Sequence, residues 1–302
     1  MSTTPAPSPT RLRQIALIAQ DIERAKYLLT TILGTEVVYI DPQVAQWGIK
    51  NFLEQNLVAI GGDIIEVCSP LQPGTDTTVG RLLEKRGDGG YMIIMQTLDA
   101  GARRTHIESK GLAKVIFSHS HDDVQCIQYH PKGIAGGMMP ELDSHTPSPS
   151  NPTPLASPHS PWHACGPDYA SYSSAMKRCS HLRLLSATCR LAPGQTDQSD
   201  TEAAAQQWEE YFGITRQNSD LVFTNARLKF VPGVPGGQSQ SEGLESITIQ
   251  VTGKDRFAKM LDMVSKEGLC GDGWTNMLGI KWYFVLSEEE DVAQRGSMSS
   301  KL

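Results

Sequence analysis

The sequence has no apolar run of the about 18 residues that a membrane-spanning helix needs. It has no excess of positive charge either. The formal net charge is −6 and no cluster of Lys and Arg stands out, which argues against a nucleic-acid-binding protein. Residues 1–11 contain no apolar core like that of a secretory signal and are expected to form a disordered leader. These absences favour a globular protein whose partner is a small molecule.

Paired cysteine spacing is also missing. The six cysteines are scattered along the chain, which favours buried thiols in a reduced compartment over a disulfide framework or a zinc site. No glycine-rich phosphate loop and no GxSxG motif is present, so nucleotide binding and nucleophilic hydrolysis have no support.

The chain ends on Ser300, Lys301 and Leu302, the tripeptide that the peroxisomal import receptor recognises. Residues 288–302 are polar and charged, so we expect a solvated tail that exposes this signal. The tail therefore predicts the import receptor as a partner and the peroxisome as the location, with the cytoplasm as the location otherwise.

A Pro- and Ser-rich stretch divides the chain. Because proline interrupts helices and central strands, residues 146–180 are predicted to be a linker without either, running over the surface. Trp162 and His163 are expected to anchor it to a folded unit. An N-terminal domain at 12–145 and a C-terminal domain at 181–287 follow from these boundaries.

The order strand, helix and further strands occurs twice in residues 12–145. The first helix begins after Asp21, a good N-cap residue, and stops at Gly34. Residues 181–287 repeat the order more weakly. The sequence therefore predicts an α+β fold of four βαβββ-like units, paired into two domains that each close half-sheets around a cleft.

Three segments resemble a known superfamily. Residues 12–34 resemble the opening strand and helix of the vicinal-oxygen-chelate proteins, which include glyoxalases and bleomycin-resistance proteins. "GGDIIEVCSP" (61–70) is similar to their strand with a metal-binding Glu, and "IQYHPKGIAGGMMPELDSH" (127–145) to their closing hairpin with a second. The resemblance implies two glyoxalase-type half-barrel domains. It implies no single activity, because this fold hosts many.

The resemblance also implies metal ligands. Three of the four family positions fall on Gln14, Glu66 and Glu141, and the other falls on Met92 or Ile93, where relatives have His. A divalent metal of unknown identity could be held by the two carboxylates and the amide. Without the imidazole, the preference for zinc, nickel or ferrous iron is weakened.

Nearby side chains could replace the missing imidazole. His130 and His145 lie within a few residues of the Glu141 strand, and strand alternation places Asp143 and His145 on the same face as Glu141. The pair His130 and Lys132 could instead meet an anionic group at the cleft mouth. The candidate substrate-binding residues are therefore Met92, Ile93, His130 and Lys132.

Glu66 and Glu141 are the candidate catalytic residues. Each lies among apolar residues, where a carboxylate is costly unless it is paired or metal-bound. Two carboxylates in one cleft repel each other unless a cation lies between them or one is protonated. Three alternatives stay open: a bound metal, metal-free acid–base use, or a catalytically silent remnant.

The predicted function is isomerase or lyase chemistry on a small oxygenated metabolite, in which a Glu moves the proton of an enolate-like intermediate. The alternative is a non-catalytic protein that sequesters a small hydrophobic ligand. A third interpretation is a structural protein whose paired barrels form a homodimer interface. In the C-terminal domain the ligand positions fall on apolar or basic residues, so we expect that its site is lost.

Overall fold

The computed structural model describes residues 8–40, 53–70, 76–235 and 241–288, and only the backbone of residues 53–55. Ser300, Lys301 and Leu302, and with them the predicted targeting signal, lie outside these residues. None of the described helices is long and apolar enough to cross a membrane.

The first half of the chain forms two units of strand, helix and three strands. In chain order its elements are β1 (Arg11–Ile18), α1 (Ile22–Leu33), β2 (Val37–Ile40), β3 (Leu53–Ile60), β4 (Asp63–Pro70), α2 (Thr78–Arg86), β5 (Gly89–Gln96), α3 (Ala100–Ser109), β6 (Val115–His121), β7 (Val124–Tyr129) and β8 (Met139–His145). The Asp21 side chain accepts a hydrogen bond from the backbone of Arg24, and Gly34 ends α1 in the left-handed conformation, as the sequence predicts.

The second half repeats this order. Its elements are α4 (Tyr169–Arg178), β9 (Leu182–Arg190), α5 (Gln198–Phe212), β10 (Thr215–Gln217), β11 (Asp220–Val222), β12 (Arg227–Val231), β13 (Gly243–Thr252), α6 (Lys254–Lys266), β14 (Thr275–Met277) and β15 (Ile280–Ser287). Within the described residues the fourth unit has two strands after its helix, where the sequence predicts three.

Each half contributes one sheet with the same internal symmetry. The first sheet has the order β2-β3-β4-β1-β5-β8-β7-β6, and the second β10-β11-β12-β9-β13-β15-β14. In the first sheet β1 and β5 pair antiparallel at the centre, and each has a parallel neighbour on its outer side, β4 and β8. The fold is thus α+β and glyoxalase-type, with two sheets that each join two units edge to edge.

The central strands of the first sheet are buried on both faces. Helices α1 and α3 cover one of them, which we call the helix face, and its side chains join a core cluster that extends into the second half. The opposite face, which we call the site face, carries Ala16, Ile64, Met92 and Ile94. Because both faces are covered, all eight residues of β1 are buried.

Residues 146–180, which the sequence predicts to be a linker without helices, contain a helix. A 3-10 turn at His163–Cys165 is followed by α4, whose N-cap Asp168 accepts a hydrogen bond from the backbone of Ser171. Residues 154–179, which we call the covering segment, lie on the site face. Their apolar side chains join its cluster: Trp162, Cys165, Tyr172, Met176 and Cys179. The proline-rich composition predicts the irregular part and misses the helix that follows the last proline.

Candidate active site

Four neighbouring strands of the first sheet, β4-β1-β5-β8, bring the main candidate residues together. Ala16 of β1 is paired with Glu66 of β4 on one side and with Met92 of β5 on the other, and Ile94 of β5 is paired with Glu141 of β8. All of these side chains are buried. The site face therefore carries both predicted catalytic glutamates, together with Gln14 and Met92.

Three other predicted residues lie elsewhere. Ile93 points to the helix face and joins the core there, because side chains alternate along β5. His130 is exposed, and its Nδ1 accepts a hydrogen bond from the backbone of Lys132 at 3.0 Å. Lys132 borders a cavity of about 490 Å³ between the β7–β8 connection and α5. The structure thus gives Ile93, His130 and Lys132 no place beside the glutamates.

Glu66 is held by its neighbours on β1 and β4. The Gln14 amide donates a hydrogen bond to Oε2 of Glu66 at 2.8 Å, and the Cys68 thiol lies 3.3 Å from Oε1. The Trp162 indole N–H donates in turn to Oε1 of Gln14 at 2.8 Å. Trp162, Gln14 and Glu66 therefore form a buried hydrogen-bonded chain from the covering segment to β4.

Glu141 lies in a second polar group on β7 and β8. Oε2 of Glu141 accepts a hydrogen bond from the Gln128 amide at 2.6 Å. Asp143, two residues further on the same face, lies 2.8 Å from Nε2 of His163. Ligand atoms of Cys126, Glu141, Asp143 and His163 all lie within 4.8 Å of one another. Strand alternation predicts that Asp143 lies beside Glu141, and the structure confirms it.

Burial perturbs the ionisation of this group. Burial first, and the charge of Asp143 second, raise the pKa of Glu141 well above its ordinary value of 4.5, and Glu66 contributes in the same direction. Burial also raises the pKa of Asp143 to about 7 and that of the Cys126 thiol. The pKa of His163 is lowered, mainly because burial penalises the imidazolium ion. Each shift favours the neutral form of a buried group.

Two further groups near the site were not expected from the sequence. Arg13 is fully buried, lies 5.3 Å from the centre of the Trp162 ring and donates to the Ser160 carbonyl at 2.8 Å. Burial lowers its pKa to about 9. The Tyr91 hydroxyl has a raised pKa, mainly through burial, with Cys68 and both glutamates acting in the same direction. Tyr91 is partly buried and packs against the apolar cluster of the site face.

The covering segment fills the space over these groups. Pro158 presents its carbonyl to the β3–β4 turn, where a Cβ on Gly62 would lie 1.8 Å from that oxygen. Arg11 donates to the carbonyls of Ser157 and Pro158 at 2.9 and 3.0 Å, and its guanidinium also binds Asp63. The segment is therefore attached through backbone contacts as well as through apolar side chains.

The family metal position fits a metal poorly in this chain. Oε1 of Gln14, the atom that would bind a cation, already accepts the Trp162 hydrogen bond, and the Gln14 amide nitrogen holds Glu66. The third position is Met92, whose thioether is a poor ligand for hard cations. We therefore derive no step through a metal at Gln14, Glu66 and Glu141.

Sequence reasoning missed Cys126 and His163 as members of the site. Cys126 lies two residues before Gln128 on β7 and faces the same side, so alternation from Gln128 could have indicated it. The sequence predicts an anchoring role for His163, and its contact with Asp143 joins residues that are 20 positions apart. No local pattern predicts such a contact.

Comparisons with known proteins give the fold. No family model and no curated protein matches this sequence. A hypothetical protein from Staphylococcus aureus of known crystal structure is 10% identical, with a TM-score of 0.53, over 92% of this chain and 100% of its own. This similarity extends over both sheets and shows the fold alone.

Half of the chain is also similar to epimerase structures. A single-residue variant of methylmalonyl-CoA epimerase from Streptomyces coelicolor, in complex with 2-nitronate-propionyl-CoA, is 21% identical over 46% of this chain and 99% of its own, with a TM-score of 0.39. The methylmalonyl-CoA epimerase from Mycobacterium tuberculosis is 20% identical over 49% of this chain and 94% of its own, also with a TM-score of 0.39.

Proposed function

We propose that this protein is an isomerase or lyase that moves a proton on a small oxygenated metabolite, using Glu66 and Glu141. The observation that carries the proposal is the position of the two glutamates. They come from β4 and β8, face the same side of one sheet, and are buried to 6% and 5% exposure. An amide on a neighbouring strand holds each of them, Gln14 for Glu66 and Gln128 for Glu141.

This arrangement suits proton transfer beside a carbonyl group. One carboxylate takes the proton from the carbon next to the carbonyl, which leaves an enolate, and the other carboxyl group returns a proton to the second face or to the neighbouring carbon. The two amides fix the carboxyl groups, so little reorganisation accompanies the reaction. The net change is an isomerisation that needs no other reactant, and expulsion of a leaving group from the enolate gives the lyase version.

Substrate access requires movement of the covering segment. Trp162 and Met176 are fully buried against the site face and occupy the space that a substrate would take. Loop or segment opening of this kind occurs on the microsecond to millisecond scale in many enzymes. Binding would thus exchange contacts of Trp162 and Met176 for contacts of the substrate.

Proton exchange with solvent tests the proposal without knowledge of the true substrate. We would incubate the protein in D₂O with 2-hydroxyaldehydes, 2-oxo acids and β-dicarbonyl compounds, and follow deuterium incorporation by NMR. We expect catalysed exchange in one compound class. Glu66→Gln should slow it by about 100-fold or more, as expected for the loss of a general base.

Glu245→Gln is the matched control. Glu245 is a glutamate on β13 of the second sheet, where it pairs with Lys281 at 2.8 Å, and we expect its removal to leave exchange unchanged. Exchange that is absent for every compound class, or equal in the parent and Glu66→Gln, would contradict the proposal.

A non-catalytic binding protein is the second candidate. The apolar side chains of Met92, Ile94 and Met139 on the site face, together with Trp162 above them, favour it. Under this alternative, 1-anilinonaphthalene-8-sulfonate should bind stoichiometrically and equally to the parent and to Glu66→Gln, with no exchange in any compound.

A further inference from the structure

We propose that Cys126, Glu141, Asp143 and His163 form a zinc site that fastens the covering segment to the first sheet. Cys126 and the two carboxylates lie on β7 and β8, whereas His163 belongs to the covering segment. The proposal goes beyond the proton-transfer function and does not depend on it, because metal binding can be measured without any substrate.

The positions of the ligand atoms are close to those of a metal site. All four lie within 4.8 Å of one another. In a tetrahedral zinc site with bonds of about 2.0–2.3 Å, ligand atoms lie about 3.3–3.8 Å apart. The longest separations in the cluster therefore have to shrink by at most about 1.5 Å, which side-chain rotations can provide.

A buried oxygen atom without a hydrogen-bond partner indicates that a cation could bind within this cluster. Asp143 is fully buried, and its Oδ1 has no nitrogen or oxygen donor, although its Oδ2 lies against His163. Nε2 of the neighbouring His145 makes no hydrogen bond, and its Nδ1 lies 3.5 Å from Oδ2 of Asp123. Buried polar atoms are rarely left without a partner, and a cation between Cys126, Asp143 and His163 would supply one.

The chemistry of the donors selects the metal. One thiolate and one imidazole favour zinc over magnesium or calcium, which prefer a sphere made of oxygen ligands. Two anionic ligands neutralise Zn²⁺, so the site is neutral when the thiolate and one carboxylate bind and the other carboxyl group keeps its proton. The scattered cysteines gave no hint of such a site, because Cys126 is its only thiol and the histidine is 37 positions away in the sequence.

The site differs from the one that the family resemblance implies. Only Glu141 belongs to both sets, and the other family positions, Gln14 and Glu66, are engaged with Trp162 and with each other. With zinc on Glu141, Glu66 alone would take and return the proton, so the zinc-bound protein would carry out a one-carboxylate version of the proposed reaction. The two-carboxylate version would belong to the zinc-free protein.

Metal content is the direct test. The full-length protein would be loaded with Zn²⁺, dialysed and measured by inductively coupled plasma mass spectrometry. We expect one zinc per chain, and a loss of affinity of tenfold or more in Cys126→Ser and in His163→Gln. Cys68→Ser, a buried cysteine on the same face, and His181→Gln, a half-buried histidine outside the cluster, should keep full zinc content.

Cobalt substitution identifies the ligand. Co²⁺ in the parent should give a thiolate-to-metal charge-transfer band that is absent in Cys126→Ser and present in Cys68→Ser. A parent without stoichiometric zinc, or a cobalt spectrum that is the same in Cys126→Ser, would overturn the proposal.

Limited proteolysis tests whether zinc holds the covering segment on the first sheet. It uses the parent protein, so a variant that fails to fold cannot affect the result. In the folded parent, removal of zinc by a chelator should speed tryptic cleavage at Lys177 and Arg178 in α4, and added zinc should restore protection. Cleavage that ignores the chelator would overturn the fastening role. The two proposals fail separately: Glu66→Gln should keep zinc and lose exchange, whereas absent zinc with intact exchange removes only the metal.

Discussion

The two sheets place acidic residues on the face opposite the helices in different surroundings. In the second sheet Glu245 is half-buried between two cations, Arg190 of β9 and Lys281 of β15. In the first sheet Glu66 and Glu141 are buried beneath the covering segment, and their hydrogen bonds come from amides and a thiol. A neighbouring cation stabilises the ionised form of a carboxylate, whereas burial without one favours the neutral form and raises the pKa, as it does for Glu141.

The same difference appears in what covers the two faces. Thr248, Gln250 and Tyr283 of the second sheet are half-buried and Val285 is exposed, so that face is only partly covered. The site face of the first sheet is covered by the 26 residues of the covering segment, 154–179. Among the described residues, the face that carries Glu66 and Glu141 is thus the more completely covered of the two.

Trp162→Ala should cause the largest loss of unfolding free energy among the variants that compare the two covered faces. Deleting a fully buried indole leaves a cavity and an unpaired Gln14 carbonyl oxygen, at a cost of about 3–5 kcal/mol of unfolding free energy. Denaturant unfolding measures the loss. Trp274 of the second half is half-buried, and its ring lies beneath the Lys281 ammonium group. Trp274→Ala should therefore lower the unfolding free energy much less. Equal losses in the two variants would remove the distinction between a closed face and an open one.

Gly62→Ala should detach part of the covering segment. The new Cβ would lie 1.8 Å from the Pro158 carbonyl oxygen, and a backbone atom cannot rotate away as a side chain does. We expect a loss of about 1–3 kcal/mol in the unfolding free energy and faster proteolysis of residues 154–179.

Gly89→Ala is the control for the glycine, since a Cβ on Gly89 meets no atom within 4 Å. If both variants were equally stable and equally protected, the contact between Pro158 and the β3–β4 turn would not hold the segment.

The first sheet and its two glutamates could be predicted from the sequence, because strand order and alternation are local and regular. Asp21, Gly34 and the run of β-branched residues in β4 indicate their elements directly. Once β4 and β8 are placed next to β1 and β5, alternation alone puts Glu66 and Glu141 on one face.

The covering segment could be predicted only in part. Its helix has a local signal, since Asp168 is a suitable N-cap and Tyr172 and Met176 are spaced four residues apart on one helix face. The pairing of His163 with Asp143 and of Trp162 with Gln14 has no such signal, because long-range contacts of irregular chain depend on the folded surface. The composition of residues 146–180 indicates loops, and it does not show where they pack.

His106 should make the stability of the first half depend on pH. Burial first, and then the charges of Arg103 and Lys110, lower the pKa of His106 on α3, while Glu210 of α5 acts in the opposite direction. The folded state thus disfavours the imidazolium ion of His106. The stability that the neutral imidazole contributes is fully present above the unfolded pKa of about 6.5 and is lost as the pH falls below that value. This histidine therefore lowers the unfolding free energy between pH 7 and pH 5. The raised pKa values of Asp143 and Glu141 act in the opposite direction, because the folded state binds their protons more tightly than the unfolded state does.

His106→Gln should remove the destabilising contribution, so the unfolding free energy of the variant relative to that of the parent should rise as the pH falls from 7 to 5. No histidine follows His181 in the sequence, so the second sheet lacks this source of acid sensitivity. An unchanged slope in His106→Gln would assign the acid sensitivity to other groups.

Glu36→Gln should have the smallest effect, and it tests whether the covering segment opens independently of the rest. Both oxygens of Glu36 accept hydrogen bonds from Arg178 at 2.7 Å, which connects the end of α4 to the segment before β2 and lowers the pKa of Glu36. Because this pair is exposed, water and salt weaken it, and we expect little change in global unfolding. Tryptic cleavage in α4 should rise a few-fold at low salt and converge with the parent at high salt.

Asp262→Asn, which removes the exposed pair with Lys266 on α6, should leave that cleavage unchanged. A parallel rise in Asp262→Asn would mean that α4 becomes accessible only through general unfolding, and the covering segment would then be a fixed part of the fold.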